Sequence, residues 1–329
     1  MNAPVTALAH PNVALVKYWG KREGAGNLPA VGSLSITLGG LTTTTCVRID
    51  DALAGDTFLL DGRTDPAGLA RVSGCLDLFR ALTGRSFHAE VDSRNDFPTS
   101  AGLASSASGF AALVAAVDRA LGTALDRTVL AGLARRCSGS AARSLFGGFV
   151  EIDPGAGDGE PLVRQVAPPE AWPLAVVVAV TATEEKAVGS SPGMRHTAAT
   201  SPYYPAWVGG SGRDLEEARA AVARRDFQAL ADVSEHSCLK MHGVMLAARP
   251  GLVYWSGATV SCLQLIRELR RDGLGVFFTI DAGPQVKAVC LPGAADRVAA
   301  ELGATPGVKK ILRSNLGAGA HVLGEAPCA

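Results

Sequence analysis

Short runs rich in β-branched residues, each closed by a turn, dominate the first third of the chain. Residues 13–16, 35–38, 42–49 and 57–60 are strand candidates. Asp61-Gly62 marks the turn that closes the last of them. Helical spacing covers 72–82, and strand-like alternation covers 87–91. A stretch of Gly, Ser and Ala then opens a helix in which Phe110, Leu113, Val114, Val117 and Leu121 form one apolar face. Asp126 suits the N-cap of a second helix ending near Arg136. A strand over 149–152 precedes a polar, Gly/Pro-rich stretch over 153–161, and a core strand begins at Leu174. The second half offers helices over 214–224, 226–247, 258–271 and 294–302. Between the last two lie strands over 275–280 and 286–291, joined by the tight turn Asp281-Ala-Gly-Pro284. This order predicts an α+β protein with helices packed on a largely antiparallel sheet.

At 329 residues the chain exceeds what one hydrophobic core usually sustains, roughly 250–300 residues, so two domains are expected, 1–170 and 171–329. The hydrophobic fraction of 47% and charged fraction of 19% fit a packed globular protein. Lys plus Arg (31) balances Asp plus Glu (31), so no global charge points to nucleic acid or an anionic membrane. The most apolar run, 174–180, is far shorter than the ~20 residues of a membrane span. The N-terminal stretch lacks a basic leader and is broken by His10, Pro11 and Asn12, which argues against a signal peptide. The seven cysteines (46, 75, 137, 238, 262, 290 and 328) are odd in number and scattered, with no CxxC pair. Neither a disulfide framework nor a thiolate zinc site is expected, and a reducing, cytoplasmic location is. The six histidines show no metal-ligand spacing.

Four segments carry candidate chemistry. In Pro98-Thr-Ser-Ala-Gly-Leu-Ala-Ser-Ser-Ala-Ser-Gly109, small residues precede a helix whose free N–H groups and dipole suit a phosphate. Close packing at a helix start explains the composition equally well, and no Gly-Lys-Ser/Thr is present to make a Walker A loop. Asn12-Val-Ala-Leu-Val-Lys-Tyr-Trp-Gly-Lys21 sets lysines among apolar residues, either aimed at an anion or snorkelling from a strand end. Strand alternation would put Lys17 and Trp19 on one face and Val16 and Tyr18 on the other. Cys137-Ser-Gly-Ser-Ala-Ala-Arg-Ser-Leu-Phe-Gly-Gly148 offers a guanidinium, Arg143, for bidentate capture of a carboxylate, or is a connector with one surface Arg. Asp281 is either a turn-capping carboxylate or a base facing a cleft.

The segment 98–109 resembles the P-x3-G-L-x-S-S-A-S loop of the GHMP kinase superfamily, named for galactokinase, homoserine, mevalonate and phosphomevalonate kinases. The other three resemble the N-x-A-x-x-K-Y-W-G-K, G-S-G-S-A-x-R-S-x-x-G-G and D-A-G-P-N strings of the diphosphomevalonate decarboxylases within it. Cys137 stands where the family commonly has Gly, and Gln285 where it has Asn. A further stretch, Lys186-Ala-Val-Gly-Ser-Ser-Pro-Gly-Met-Arg195, resembles the family's K-x-x-x-S-x-x-G-M.

The resemblance implies a ribosomal protein S5 domain 2-like N-terminal domain that binds ATP and a ferredoxin-like C-terminal domain. It implies ATP with Mg2+ as cofactors and a homodimer. Pro98, Gly102, Leu103, Ala104, Ser105, Ser106 and Ser108 would hold ATP. The Mg2+ would arrive with ATP beside Ser105 or Ser106, with no other protein ligand. Asp281, Lys17 and Arg143 would be catalytic. Tyr18, Lys21, Ser138, Ser140 and Ser190 would join Arg143 in binding mevalonate 5-diphosphate, while Trp19 and Met194 would pack. The implied reaction is ATP-dependent decarboxylation to isopentenyl diphosphate in the mevalonate pathway of isoprenoid biosynthesis. A decarboxylase or 3-kinase acting on mevalonate or its 5-phosphate, and a nucleotide-binding scaffold without catalysis, are the competing readings.

Overall fold

The computed structural model describes residues 3–24, 26–97, 105–155, 159–184 and 186–325. Pro98, Gly102, Leu103 and Ala104 therefore lie outside the described residues, as does Cys328. The chain runs β1 (Val5–Ala9), β2 (Asn12–Val16), β3 (Ser33–Thr37), β4 (Thr43–Ile49), β5 (Thr57–Leu60), β6 (Arg63–Thr64), α1 (Pro66–Thr83), β7 (Ala89–Asn95), α2 (Ser105–Leu121), α3 (Arg127–Cys137), α4 (Ala141–Ser144), β8 (Phe149–Asp153) and β9 (Leu162–Ala167). It continues as β10 (Ala175–Val180), α5 (Ser190–Thr200), α6 (Tyr204–Arg224), α7 (Phe227–Leu246), α8 (Gly257–Arg271), β11 (Val276–Thr279), β12 (Val286–Cys290), α9 (Ala295–Ala304), β13 (Lys310–Asn315) and β14 (His321–Glu325).

Local chemistry fixes several of these boundaries. Asp65 accepts a hydrogen bond from the Gly68 N–H at the start of α1, Pro66 fills the first helical position, and Gly84 ends the helix at φ 65°. Asp226 caps α7 through the Ala229 N–H, and Ser256 with Thr259 forms a capping box on α8. Asp126 occupies the N-cap of α3 as expected, but its side chain makes no capping bond.

Three sheets result, ordered β14-β1-β4-β7-β5-β6, β2-β3-β8-β9 and β11-β12-β10-β13. Helices α2, α3 and α4 cover the first sheet and one face of the second, where Val150, Ile152 and Val163 share a core with Val114 and Leu133. The other face of the second sheet packs through Val13, Leu15, Leu34 and Ile36 against Leu215 and Ala218 of α6 and Leu230 of α7. That same core takes in Val176, Phe277 and Val289 of the third sheet. Helices α8 and α9 close the outer face of the third sheet. The seam between the two halves is thus continuous apolar packing rather than a linker. The expected division near residue 170 is also crossed: β14 returns to pair with β1, Val5 opposite Glu325.

Several expectations need correction. Strand β2 stops at Val16, so the alternation drawn through Trp19 fails: Lys17 is buried beside Asp281, and Trp19 joins a separate cluster with Met194, Trp207 and Met241. Strand β7 runs to Asn95 because it follows β4 along its full length. Helix α6 begins ten residues before the expected 214, and β1, β9, β13, β14 and α5 were not foreseen. Cys46 is disulfide-bonded, whereas Cys75, Cys137, Cys238, Cys262 and Cys290 are free thiols.

Candidate active site

A cleft of about 550 Å³ opens at the seam of the two halves. Its walls include Tyr18 and Lys21, Ser105 and Ser106 at the start of α2, Ser138 and Ser140, Arg143, Ser190 and Asp281. The lysine, tyrosine, guanidinium, serines and carboxylate that the sequence scatters between Tyr18 and Asp281 therefore converge. Lys17 is buried behind the cleft wall, its Nζ 2.7 Å from Asp281 Oδ1. Ser108 does not join them: it is fully buried, and its hydroxyl lies 2.6 Å from Thr43 Oγ1, facing the sheet.

Asn12, the first residue of β2, organises the Arg143 side. Its Oδ1 accepts from Arg143 Nε at 3.1 Å, and its Nδ2 donates to the Ser140 carbonyl and to Ser144 Oγ. Arg143 Nη1 donates to Ser33 Oγ at 2.9 Å. The guanidinium is only 3% exposed, yet among the described residues no carboxylate lies within ion-pair distance. Burial pushes its pKa down to about 10, against the pull of Tyr18 and Asp281. A buried cation with no carboxylate in contact is costly, and an anionic ligand group beside it would offset that cost. Tyr18 stacks under Arg143, with the guanidinium 5.7 Å from its ring. Burial pushes the Tyr18 hydroxyl up to about 12, opposed by Arg143 and Arg135, so it stays a donor at neutral pH.

Asp281 comes after β11 and enters its turn through a Gly283 N–H to Asp281 carbonyl bond of 2.7 Å. Burial would raise its pKa, but Lys17, then Lys287 and Arg143, outweigh that and hold it well below the ordinary carboxylate range. Gln285 fits the turn: its Oε1 accepts from the Thr181 N–H and its Nε2 donates to the Ala182 carbonyl, each at 2.6 Å. The backbone N–H of Lys17 donates to Ser237 Oγ on α7, and Thr279 Oγ1 donates to the Ala14 carbonyl. These bonds tie the β2 end to the β11 end, and so Lys17 to Asp281.

At the opposite end, Lys21 Nζ donates to Asn27 Oδ1 at 2.6 Å and to Ser191 Oγ at 2.7 Å. Burial, then Arg195 and Arg71, lower its pKa. Lys186 Nζ donates to Ser190 Oγ and to the Ala282 carbonyl. Ser138 Oγ sits 3.3 Å from Ser106 Oγ. The loop from α3 to α4 passes so close to Tyr18 that a Cβ on Gly139 would lie 2.5 Å from its hydroxyl oxygen. A second cavity, of about 360 Å³, joins the first at Ser105, Ser106 and Arg71, and carries the apolar side chains of Phe58, Leu60 and Leu113. Its wall also presents Thr45, Ser93 and Asn95. Apolar walls with a few polar groups, opening onto a helix N-terminus, fit a nucleoside with its phosphates toward Ser105 and Ser106. Among the described residues no group of three or more His, Cys, Asp or Glu could hold a metal ion.

Four participants escaped the sequence reading: Arg71, Asn27, Ser191 and Lys287. Lys287 offered a signal of two meanings, a lysine inside an otherwise apolar strand, Val286–Cys290.

Residues 9–162 match the family model for the diphosphomevalonate decarboxylase-like N-terminal domain, and 176–317 match that for the mevalonate 5-diphosphate decarboxylase C-terminal domain. Human diphosphomevalonate decarboxylase is 37% identical over 86% of this chain and 75% of its own. The chain belongs to the diphosphomevalonate decarboxylase family. Among solved structures, mevalonate diphosphate decarboxylase from Staphylococcus aureus superposes with a TM-score of 0.92 at 36% identity, covering 98% of this chain and 99% of that one. MDDEF in complex with MVAPP, AMPPCP and magnesium gives 0.91 at 36% identity, covering 99% and 100%. The family's two-domain GHMP kinase fold is therefore the fold of this chain.

Proposed function

We propose that this chain decarboxylates (R)-5-diphosphomevalonate in an ATP-dependent reaction, yielding isopentenyl diphosphate, ADP, phosphate and CO2. Family membership supports the reaction class, and the magnesium complex of a relative supports ATP with Mg2+ as its companions. The observation that carries the assignment to residues is the buried Arg143, with no carboxylate in ion-pair contact, lining the same cleft as a carboxylate held ionised.

Arg143 pairs with the substrate carboxylate, which fixes the group that must leave as CO2. Tyr18, Lys21, Ser138, Ser140 and Ser190 hold the diphosphate. Ser105 and Ser106, at the positive end of α2, take the nucleotide phosphates, with Arg71 where the two cavities meet. Asp281 orients the 3-hydroxyl toward the γ-phosphorus and accepts its proton as the new oxygen–phosphorus bond forms and the bond from that phosphorus to the departing ADP oxygen breaks. Lys17 balances the charge that grows on the transferring group. So strongly ionised a carboxylate is a weak base, and this suits phosphoryl transfer, in which orientation matters more than early proton removal. The phosphorylated tertiary oxygen then leaves as phosphate. Electron density from the carboxylate C–C bond flows to the deficient carbon, releasing CO2 and forming the double bond.

The same proposal takes 1–170 as the ATP-binding domain and 171–329 as the second, with β14 returning to the first. A cytoplasmic homodimer belongs to it as well. Among the described residues no helix is long and apolar enough to cross a membrane. The test is incubation with ATP and each of mevalonate, its 5-phosphate and its 5-diphosphate, with ADP and CO2 measured and products identified by mass. ADP and CO2 are expected together, and only with the diphosphate. ADP without CO2 would replace the decarboxylase with a kinase, and neither product would leave a binding module.

A further inference from the structure

A lysine within a buried strand is costly, because its ammonium loses hydration that apolar neighbours cannot replace. Lys287, the second residue of β12, is such a residue, its side chain 3% exposed. Register sets it opposite Thr279 on β11 and Val178 on β10. Its neighbours Val286 and Ala288 face the α8/α9 core, while Val289 faces the α6/α7 core. Alternation therefore sends Lys287 to the α7 side, into the layer where Lys17 and Asp281 meet. Its Nζ lies 3.4 Å from Asp281 Oδ2, while Lys17 Nζ holds Oδ1 at 2.7 Å. Each carboxylate oxygen thus has an ammonium of its own. The two differ in what else they touch. Lys17 also donates to the Ala14 carbonyl and comes directly after β2, whose Ala14 lines the cleft. Lys287 comes from behind, within the strand.

We propose that Lys287 is a positioning residue for the phosphoryl-transfer step, clamping Oδ2 so that Asp281 keeps its orientation and its charge when Lys17 turns toward the transferring phosphoryl group. This rests on the function proposed above. With Oδ2 held from behind, Oδ1 is the oxygen left to meet the substrate hydroxyl. Lys287 itself makes and breaks no covalent bond.

The charged and titratable groups facing this carboxylate come from four elements. They are Lys17 after β2, Arg143 on α4, Cys238 and His242 on α7, and Lys287 on β12. Burial, with Lys17 adding to it, pushes His242 down to about 3. Burial pushes the Cys238 thiol up. Both are neutral near pH 7, so neither substitutes for the clamp.

The test is Lys287→Met, which keeps the volume and removes the charge, with thermal unfolding to confirm the fold. Turnover should fall roughly 10–100-fold, while KM for ATP and for the acid stays within about twofold. The sign of the pH effect comes from the chemistry. The active form is the carboxylate, and losing one ammonium raises the pKa of Asp281 toward the ordinary value near ~4. An acid limb should therefore appear in the kcat profile at a pH where the parent protein shows none. Lys287→Arg, which retains the charge, should restore the parent profile in part. Independently of turnover, the 13C carboxyl resonance of Asp281, identified by its loss in Asp281→Asn, should titrate at higher pH in Lys287→Met. Unchanged kcat together with an unmoved Asp281 titration would overturn the clamp. If the parent protein releases no CO2 from any of the three acids, the functional reading fails instead, and the carboxyl titration still decides whether Lys287 holds Asp281.

Discussion

Arg143 shows how one side chain can be costly to folding and fitted to a task. Its Nε and Nη1 are fixed by Asn12 and Ser33, so the remaining guanidinium edge points in one direction before any ligand arrives. A lysine cannot reproduce this, having one charged nitrogen and no planar fork. Arg143→Lys should lower kcat/KM about 100-fold, the equivalent of one to two charge-assisted hydrogen bonds at ~1.5–3 kcal/mol each. Steady-state kinetics with the 5-diphosphate check this, and an unchanged value would return Arg143 to a purely structural role. At this scale the sequence was informative where a polar residue interrupts an apolar or small-residue context, as with Lys17, Arg143 and Asp281. At Lys287 the same signal was ambiguous, because a lysine at alternate strand positions also reads as a solvent face. Only the packing of α7 over that face buries it.

Elements position these residues by where they end. Lys17 sits one residue past β2, Asp281 two past β11, and Ser138 and Ser140 between α3 and α4. The α3–α4 loop carries a steric condition: Gly139 leaves room for the Tyr18 ring, and any Cβ there meets the hydroxyl at 2.5 Å. Gly139→Ala should therefore shift Tyr18 and raise KM for the diphosphate substrate about tenfold, or ~1.4 kcal/mol. The KM for ATP should change much less, since Tyr18 lines the first cavity and not the second. Equal changes in both constants would count against a diphosphate role for Tyr18. The elements legible in the sequence were those whose signal is local: the apolar stripe of α2, the helical spans of α7 and α8, the strand–turn–strand of β11 and β12. Strands β1, β13 and β14 have no such signal, being defined by partners far along the chain, whereas β9 is an edge strand that pairs with its chain neighbour β8. The start of α6 was hidden because Gly209, Gly210 and Gly212 dilute its periodicity, although Trp207 is buried.

At the scale of the molecule, the cleft exists because two halves share a core and are pinned at its edge. Glu151, on β8, is fully buried, yet carries a charge that Arg219 of α6 meets with two hydrogen bonds, at 2.6 and 3.0 Å. Arg164 of β9 lies farther off, at 3.4 Å. Strand and helix come from different halves, so this pair fixes α6 against the β2-β3-β8-β9 sheet that also presents Asn12. Removing only the guanidinium leaves a buried carboxylate poorly compensated, whereas removing both charges leaves an apolar contact. Arg219→Met alone should cost ~2 kcal/mol and lower the midpoint of thermal unfolding by about 5 °C. Adding Glu151→Leu should recover most of that loss, which makes the pair a charge-compensation device rather than a large net source of stability. Calorimetry on the two variants separates these outcomes: if the double variant is as unstable as the single, α6 depends on the ion pair itself. Turnover measured on the double variant then has a definite meaning. The shared core keeps Val13 and Leu15 of β2 against Leu215 and Leu230, so Asn12 and Lys17 should remain in register with Arg143 and Asp281, and activity should stay near that of the parent protein.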